Sequence, residues 1–202
     1  YLMTGVSMGA AIYYFTYNCG NAGYFGNMVT VFSAANVIGL IAAPVLVKKL
    51  KNIRLLNLGC FALNVIVRAI YMIFVMQANA SVVVWMYGLV ALTCCPLGGT
   101  FNALVSEASD YTYLNTGKRM DGSMYSCTSF GMKVGNGLGS AISGWLLAAS
   151  HYDATVAVQS ASCTNMLAFM FAGIPLIITV VIVFLYYKLD VEKVNQKLRS
   201  EK

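Results

Sequence analysis

The chain has 202 residues, of which 59% are hydrophobic and only 10% are charged, and its mean hydropathy is +0.71. A water-soluble domain carries about 25% charged residues, mostly on its surface. The composition therefore excludes an ordinary soluble globular protein and predicts a chain that lies mainly in lipid. At about 20 apolar residues per membrane-spanning helix, the length allows roughly seven or eight spans at most.

Six apolar stretches, separated by breaks rich in polar residues, Gly and Asn, predict six membrane-spanning helices. In chain order they cover residues of about 1–18, 26–47, 55–76, 82–105, 123–149 and 165–187. The predicted fold is an all-α integral membrane protein, with a six-helix bundle over 1–188 and a charged tail over 189–202. The chain opens directly into apolar sequence without a Met or a basic flank, which favours a piece of a longer protein over a secretory signal peptide.

The basic residues fall almost entirely into one alternate set of breaks and the tail. Because Lys and Arg accumulate on the cytoplasmic side, the first span is predicted to start inside and the C-terminus to be cytoplasmic, in the inner (plasma) membrane. The net charge of +6 then reflects topology, and nucleic acid binding is not predicted. The residues concerned are Lys48, Lys49, Lys51, Arg54, Lys118, Arg119, Lys188, Lys193, Lys197, Arg199 and Lys202.

The patterns typical of enzymes and metal sites are missing from the sequence. The single His, His151, lies in a predicted outer loop without a clustered base, nucleophile or metal ligand. Four of the six Cys fall within predicted spans, where a thiol behaves as a small apolar group. A disulfide between the other two, Cys19 and Cys163, is not favoured. The sequence therefore predicts no enzyme, no metal site and no cofactor other than a coupling cation.

Two basic residues, Arg68 and Lys133, lie inside predicted spans, where charged side chains are costly and usually functional. Lys133 is about ten residues, or roughly 15 Å, from the cytoplasmic start of its helix. No acid lies deep in any span, and a buried ammonium needs a counter-charge. The position of Lys133 therefore predicts that a carboxylate, a cation-linked site or a substrate is supplied from outside this chain. The alternative is that Lys133 has a purely structural role. For Arg68 a structural role is favoured, because its stem could partly reach the outer interface.

Polar residues accompany Lys133 on its helix. Ser126, Ser129, Lys133, Asn136 and Ser140 recur at spacings of three and four, which places them on one helical face. A polar face toward lipid would be costly, so this face predicts a water-filled cavity or contact with another helix.

A ridge of glycines follows the same helix. Gly131, Gly135 and Gly139 recur at every fourth position. Such small residues let a second helix approach closely, so the ridge predicts helix packing.

Tyr13 and Tyr17 lie one turn apart in the first span. Aromatic rings flanked by hydrogen-bonding groups suit sugars, whose C–H faces stack while their hydroxyls bond. The same residues suit an aromatic belt at the outer membrane boundary, because the helix ends near Cys19. Both interpretations remain open, and the pair is a candidate lining of a sugar site.

A denser motif covers residues 107–133. It runs Glu107-Ala-Ser-Asp110-Tyr111, then Thr116-Gly117-Lys118-Arg119-Met120-Asp121-Gly122, then Tyr125-Ser126 and Lys133-Val134-Gly135. This pattern resembles the glycoside-pentoside-hexuronide:cation symporters, a branch of the major facilitator superfamily.

The resemblance implies that the six spans form the C-terminal half of a twelve-helix fold, whose two halves rock about a central site. It further implies a sugar substrate, sodium or proton as the coupling cation, and an N-terminal six-helix half that supplies carboxylates. Lys133 matches the family lysine that faces this site, and Thr128 and Ser129 match the polar pair one turn before it.

The polar stretch between the fourth and fifth spans predicts a cytoplasmic gate. Glu107 and Asp110 lie at the end of one helix, and Arg119 and Asp121 lie near the start of the next. An exposed ion pair contributes only about 0–1 kcal/mol, but pairs that form in one state and break in the other would bias a conformational equilibrium. Solvated loop charge that sets topology is the alternative.

The leading functional hypothesis is secondary active transport, in which a glycoside, pentoside or hexuronide crosses the lipid bilayer with a cation by alternating access. Two alternatives remain open. A related facilitator branch that transports lipids or drugs would need an apolar lateral opening rather than polar helix faces. A membrane assembly subunit without transport activity would use the glycine ridge for packing alone.

Overall fold

A computed structural model of the chain describes residues 1–50 and 52–200, without the side chains of residues 193, 196 and 199. The topology argument also used Lys51, Lys202 and the side chains of Lys193 and Arg199, which lie outside the described part. Every regular element of the described part is helical. The elements are α1 (Leu2–Tyr17), α2 (Gly23–Leu50), α3 (Ile53–Met76), α4 (Ala80–Thr116), α5 (Asp121–Ala149), α6 (Ala161–Ala168), a π-helical segment (Phe169–Gly173), α7 (Ile174–Lys188) and α8 (Val191–Ser200).

Four helical segments are long and apolar enough to cross a membrane, namely α2, α3, α4 and the continuous stretch Ala161–Lys188. Helix α1 has 16 residues, and α5 mixes its apolar residues with glycines and serines, so neither reaches the same combination of length and hydropathy. The all-helical membrane architecture is therefore confirmed at the level of these four segments. The six-span bundle stays a prediction, although each of the six predicted ranges is helical.

Short polar residues mark the breaks between helices. The side chain of Asn52 accepts the Leu55 backbone N–H at 2.6 Å at the start of α3, and Ser160 accepts the Cys163 N–H at 3.3 Å at the start of α6. Such caps satisfy backbone donors that the first helical turn leaves free. Gly117 ends α4 in the left-handed conformation, with φ of 70°, which glycine adopts without steric cost.

Helix α4 extends beyond the predicted span 82–105, which corrects the sequence prediction of a break over 106–122. It continues without interruption to Thr116. Hydropathy marks where a helix leaves lipid, not where the helix ends, and Ser109 is buried in this extension. The acids Glu107 and Asp110 consequently lie on a rigid helix rather than in a loop.

The helices pack around an aromatic core, with α1 parallel to α5, α2 parallel to α4, and α3 antiparallel to α4. Helix α2 packs on α4, α1 on α5, α3 on α4 and α7, and α8 on α4. Phe171, in the π-helical segment, stacks on Tyr14 with ring centroids 4.9 Å apart and on Tyr87 at 5.8 Å. The Tyr71 ring meets Phe171 edge-on at 5.8 Å. These rings tie four elements together at the centre of the bundle.

The π-helical segment precedes a proline. Pro175 lacks the N–H that would bond to the carbonyl of Phe171 in an α-helix, and the Ser7 hydroxyl of α1 donates to this carbonyl at 3.3 Å. Single π-helical turns are rare and usually reflect such a local disturbance of the bonding ladder. The last long helix is therefore fastened to α1 at its irregular point.

Candidate functional site

One face of α5 forms an open groove of about 450 Å³. Its lining consists of Tyr125, Ser126, Ser129, Phe130 and Lys133. Their spacing along the helix is one, four, five and eight residues, so they share one side of α5. The structure thus brings three of the predicted site residues, Ser126, Ser129 and Lys133, onto one surface. The sequence analysis missed Phe130, because an apolar residue in a predicted span resembles a lipid-facing one.

Lys133 points into this groove and is exposed. It has no ion-pair partner in the described part of the chain. Helix α5 is predicted to cross the membrane, and there an exposed ammonium would have to meet water, a ligand or a second protein surface, because contact with hydrocarbon is costly. The groove therefore combines hydroxyls, aromatic rings and one positive charge on an open face, which suits a polar ligand with ring C–H faces.

Thr128 and Asn136 lie beside the groove lining. Thr128 is half-buried, and its hydroxyl donates to the backbone carbonyl of Tyr125 at 2.8 Å. This local bond occupies the Thr128 donor within its own helix. The Asn136 side chain is exposed, and its backbone carbonyl belongs to the contact with α1, 2.9 Å from a Cβ placed on Gly5.

The glycine ridge of α5 packs against α1 through two of its three predicted members. A Cβ on Gly139 would lie 2.7 Å from the backbone oxygen of Leu2, and a Cβ on Gly135 would lie 3.0 Å from the Leu2 nitrogen. Gly131 has nothing within 4 Å of its Cβ position in the described chain. Close packing is thus seen at Gly135 and Gly139, and the packing role of Gly131 stays a prediction.

Ser143 continues the ridge where the sequence analysis stopped. Its hydroxyl donates to the backbone carbonyl of Val6 at 3.3 Å and lies 2.9 Å from a Cβ placed on Gly9. Gly5 and Gly9 of α1 are the matching small residues, four positions apart on the partner helix. This second glycine pair was visible in the sequence and was the signal that would have identified the partner.

Tyr13 and Tyr17 lie together, but they do not line the groove on α5. They contact a third tyrosine instead. The Tyr17 and Tyr152 hydroxyls are 2.9 Å apart, and the Tyr13 and Tyr152 rings meet edge-on with centroids 5.4 Å apart. The hydrogen bond to Tyr17, followed by burial, raises the pKa of Tyr152 to about 12. The phenol of Tyr152 therefore stays neutral at physiological pH, and the cluster fastens the loop after α5 to the end of α1.

The predicted gate residues join three helices. Arg119 and Asp121 are 3.9 Å apart and both exposed, and the Ser109 hydroxyl of α4 donates to the Asp121 carboxylate. The Glu107 carboxylate accepts from the Asn195 amide at 2.7 Å. Asp110 is half-buried on the same extension of α4. The gating role stays a prediction, but Asn195 is a partner that the sequence analysis missed.

The tail predicted over 189–202 contains α8, which is attached to the start of α3. The Arg54 guanidinium forms an ion pair with Asp190 at 2.5 Å and donates from Nε to the Tyr186 carbonyl at 3.2 Å and from Nη2 to the Tyr187 carbonyl. The last turn of α7 thereby gains a positive charge at its C-terminus, where the helix dipole favours one.

Glu192 completes this attachment from the other side. Its carboxylate accepts the backbone N–H of Ile53 at 3.2 Å and that of Arg54 at 3.1 Å. A carboxylate at a helix N-terminus satisfies free donors and complements the dipole. Together with the Asn195 contact to Glu107, these bonds hold α8 against the start of α3, the end of α7 and the extension of α4.

Arg54→Gln is expected to loosen α8. The change removes an ion pair to an exposed acid, which contributes about 0–1 kcal/mol, and two charged hydrogen bonds of about 1.5–3 kcal/mol each. Segment 189–200 should therefore be cleaved roughly tenfold faster by a broad-specificity protease in the detergent-solubilised full-length protein. Lys49→Gln, which removes an exposed cation of α2, serves as the control. Equal cleavage rates for the two variants would show that Arg54 does not hold the segment.

Arg68 turns inward and is 5% exposed. The sequence analysis placed its guanidinium partly at the outer interface, and the structure corrects this. Its Nε donates to the Asn64 side-chain oxygen at 2.8 Å, one turn earlier on α3. The long stem therefore runs along the helix toward α4 instead of toward the membrane surface.

Comparison with known families decides which kind of protein carries this groove. A family model described as MFS/sugar transport protein matches residues 1–193. The chain belongs to this family. The predicted resemblance to the glycoside-pentoside-hexuronide:cation symporters is thereby confirmed together with the relatives below. Family membership places the chain among membrane transport proteins and not among enzymes.

Individual relatives agree with the family. The inner membrane symporter YicJ of Escherichia coli (strain K12) is 27% identical over 186 residues, which are 90% of this chain and 40% of that protein. The isoprimeverose transporter of Lactiplantibacillus pentosus is 30% identical over 107 residues, 52% of this chain and 22% of that protein. An uncharacterized 29.9 kDa protein of Pseudescherichia vulneris is 30% identical over 196 residues, 92% of this chain and 68% of that protein. The chain thus spans well under half the length of the two named symport and transport proteins.

Proposed function

We propose that this chain is the C-terminal six-span half of a symporter that carries a glycoside, pentoside or hexuronide with a cation by alternating access. In this proposal the second half supplies the carboxylates that bind the coupling cation. The C-terminus and α8 lie in the cytoplasm, and the protein resides in the inner membrane. The family, in which two-part transporters bind substrate between their halves, supports the arrangement.

The observation that carries the proposal is the groove on α5. Lys133, Ser126 and Ser129 lie on its open face, and in a membrane this face requires a partner surface. A second bundle placed against it would enclose the groove and convert an exposed polar surface into a central cavity. Tyr125 and Phe130 supply ring faces for the C–H surface of a sugar, and the hydroxyls and ammonium supply hydrogen bonds.

The relatives support the same chemistry. One is named a symporter and another a transporter of isoprimeverose, which by that name is a sugar. We propose that this chain also takes part in sugar transport, without assigning it an individual sugar. A lipid or drug pathway is less consistent with the groove, because three of its five lining side chains are polar or charged.

Uptake by the full-length protein in proteoliposomes tests the proposal. Labelled isoprimeverose, melibiose and a glucuronide represent the three sugar classes, and each is offered under an inward sodium gradient or an inward proton gradient. We expect at least one sugar to accumulate under one of the two gradients. Failure of all three sugars to accumulate under either gradient would contradict sugar symport.

A further inference from the structure

A buried positive charge lies in the bundle without an acid beside it. Arg68 is 5% exposed and sits on α3 near two residues that are fully buried, Asn64 and Tyr71. The guanidinium keeps its proton under all physiological conditions. The interior of the bundle therefore holds a permanent cation.

The Arg68 side chain has neutral protein partners, namely the Asn64 oxygen and the Cys94 thiol of α4. Its Nε donates to the Asn64 oxygen at 2.8 Å. The Asn64 amide nitrogen donates to the Val90 carbonyl at 2.8 Å and to the Thr93 hydroxyl at 2.5 Å, which fixes the amide orientation with its oxygen toward Arg68. The Nη1 atom of Arg68 is buried and has no partner in residues 1–50 and 52–200.

A second buried donor lies one turn further along the same helix face. The Tyr71 hydroxyl is fully buried and has no partner among the described residues. Residues three apart on a helix are neighbours on its surface, so the two free donors share one region. The rings of Tyr87 and Phe171 flank Tyr71, with centroids 5.9 and 5.8 Å away. The other polar groups of this region, among them the Tyr14 and Tyr87 hydroxyls and the Cys94 thiol, are neutral.

The acids of the described chain are too far away to serve this region. Asn64 contacts α4 at Val90, and Glu107 lies 17 residues further along α4, which corresponds to about 25 Å. Asp153 is exposed in the loop after α5, where its carboxylate accepts from Thr155. A carboxylate from a second half has no access either, because the helices of this chain already cover 95% of Arg68, given its 5% exposure.

We propose that Arg68 and Tyr71 hold a small monovalent anion, a halide that would be chloride in the cell, in the interior of the bundle. A halide neutralises the guanidinium and accepts hydrogen bonds from both free donors at once. A water molecule would accept the same bonds but would leave the charge uncompensated, which is unfavourable in an apolar interior. The anion would stabilise the packing of α3 on α4 and on the π-helical segment.

Thermal unfolding of the full-length protein in detergent tests this site. The midpoint is measured in sodium chloride, sodium bromide and sodium gluconate at equal ionic strength and over a range of concentrations. We expect the midpoint in chloride and bromide to rise above that in gluconate with the logarithm of the halide concentration, since a ligand at free concentration L that binds only the folded state stabilises it by RT ln(1 + L/Kd). Crystals grown in bromide should show an anomalous peak beside Arg68 and Tyr71.

Variants separate this site from general salt effects. Arg68→Met should abolish the difference between halide and gluconate, and Tyr71→Phe, which keeps the ring, should weaken it. Lys188→Met removes an exposed cation and should leave it unchanged. Equal midpoints in halide and gluconate for the parent protein would overturn the proposal. If Arg68→Met does not fold, Tyr71→Phe decides, and a halide response equal to that of the parent would also overturn it.

Discussion

Lys133→Met is expected to abolish gradient-driven sugar accumulation while the protein remains folded and inserted in the membrane. Met keeps the length of the stem and removes the charge and its donors. A hydrogen bond to a charged group contributes about 1.5–3 kcal/mol, so losing one from the substrate or cation site weakens binding roughly 10- to 100-fold. Folding should be spared, because the Lys133 side chain is exposed on the surface of this bundle.

The measurement is initial uptake by proteoliposomes at equal protein content. Lys48→Met is the matched control, because it makes the same change at an exposed lysine in the last turn of α2. Parent-like accumulation by Lys133→Met would remove this lysine from the transport site. A thermal midpoint lowered only in Lys133→Met would instead assign it a structural role, the alternative that the sequence left open.

Gly139→Val is expected to prevent the correct packing of α1 on α5. A Cβ there would lie 2.7 Å from the Leu2 oxygen, 2.9 Å from the Gly5 Cα and 3.0 Å from the Val6 nitrogen. All three are backbone atoms, which cannot rotate away as a side chain can. Overpacking a tight contact costs about 1–3 kcal/mol, occasionally more, and we expect this substitution to reach or exceed the upper value.

Fluorescence-detected size-exclusion chromatography of a tagged full-length protein measures the outcome. Gly139→Val should give a reduced monodisperse peak and a lower thermal midpoint. Gly131→Val and Gly137→Val are controls on the same helix, because nothing in the described chain lies within 4 Å of either Cβ position. A similar loss in all three variants would mean that helix propensity, and not the contact with α1, limits folding.

The sequence was informative where residues recur with the helical period and where placing them in lipid would be energetically costly. The spacing of Ser126, Ser129 and Lys133 predicted a shared polar face, and the structure places them in one groove. The glycine repeat predicted close packing, which Gly135 and Gly139 show. In both cases the helical period alone decides which residues are neighbours.

The sequence was uninformative where the answer depended on contacts between distant segments. The partner of Tyr13 and Tyr17 is Tyr152, more than 130 positions away, and no periodicity connects them. The contact between Arg54 and Asp190 also joins residues far apart in sequence, and it depends on the packing of α7 against α3. The distribution of charged residues predicted that Arg54 and Asp190 lie on the same side of the membrane, but it could not predict that they form an ion pair.

Arg68 shows a different limit. It lies eight residues before the end of α3 at Met76, and the direction of its side chain was predicted wrongly, because a long stem can turn either way along a helix. Asn64, one turn earlier, was the available signal, since a buried amide supplies the acceptor that an inward guanidinium needs. A pair of polar residues four positions apart in a span thus indicates an inward contact more strongly than depth does.

The central claim is that the groove on α5 forms part of a cation-coupled sugar pathway, and accumulation against a concentration gradient tests it most directly. Full-length protein in proteoliposomes is given a labelled sugar with an inward sodium or proton gradient, and an ionophore then collapses that gradient. We predict that the sugar rises above its external concentration, that the ionophore releases the excess, and that Lys133→Met shows neither effect. Sugar uptake that never exceeds the external concentration, or that persists after the gradient is collapsed, would contradict the claim.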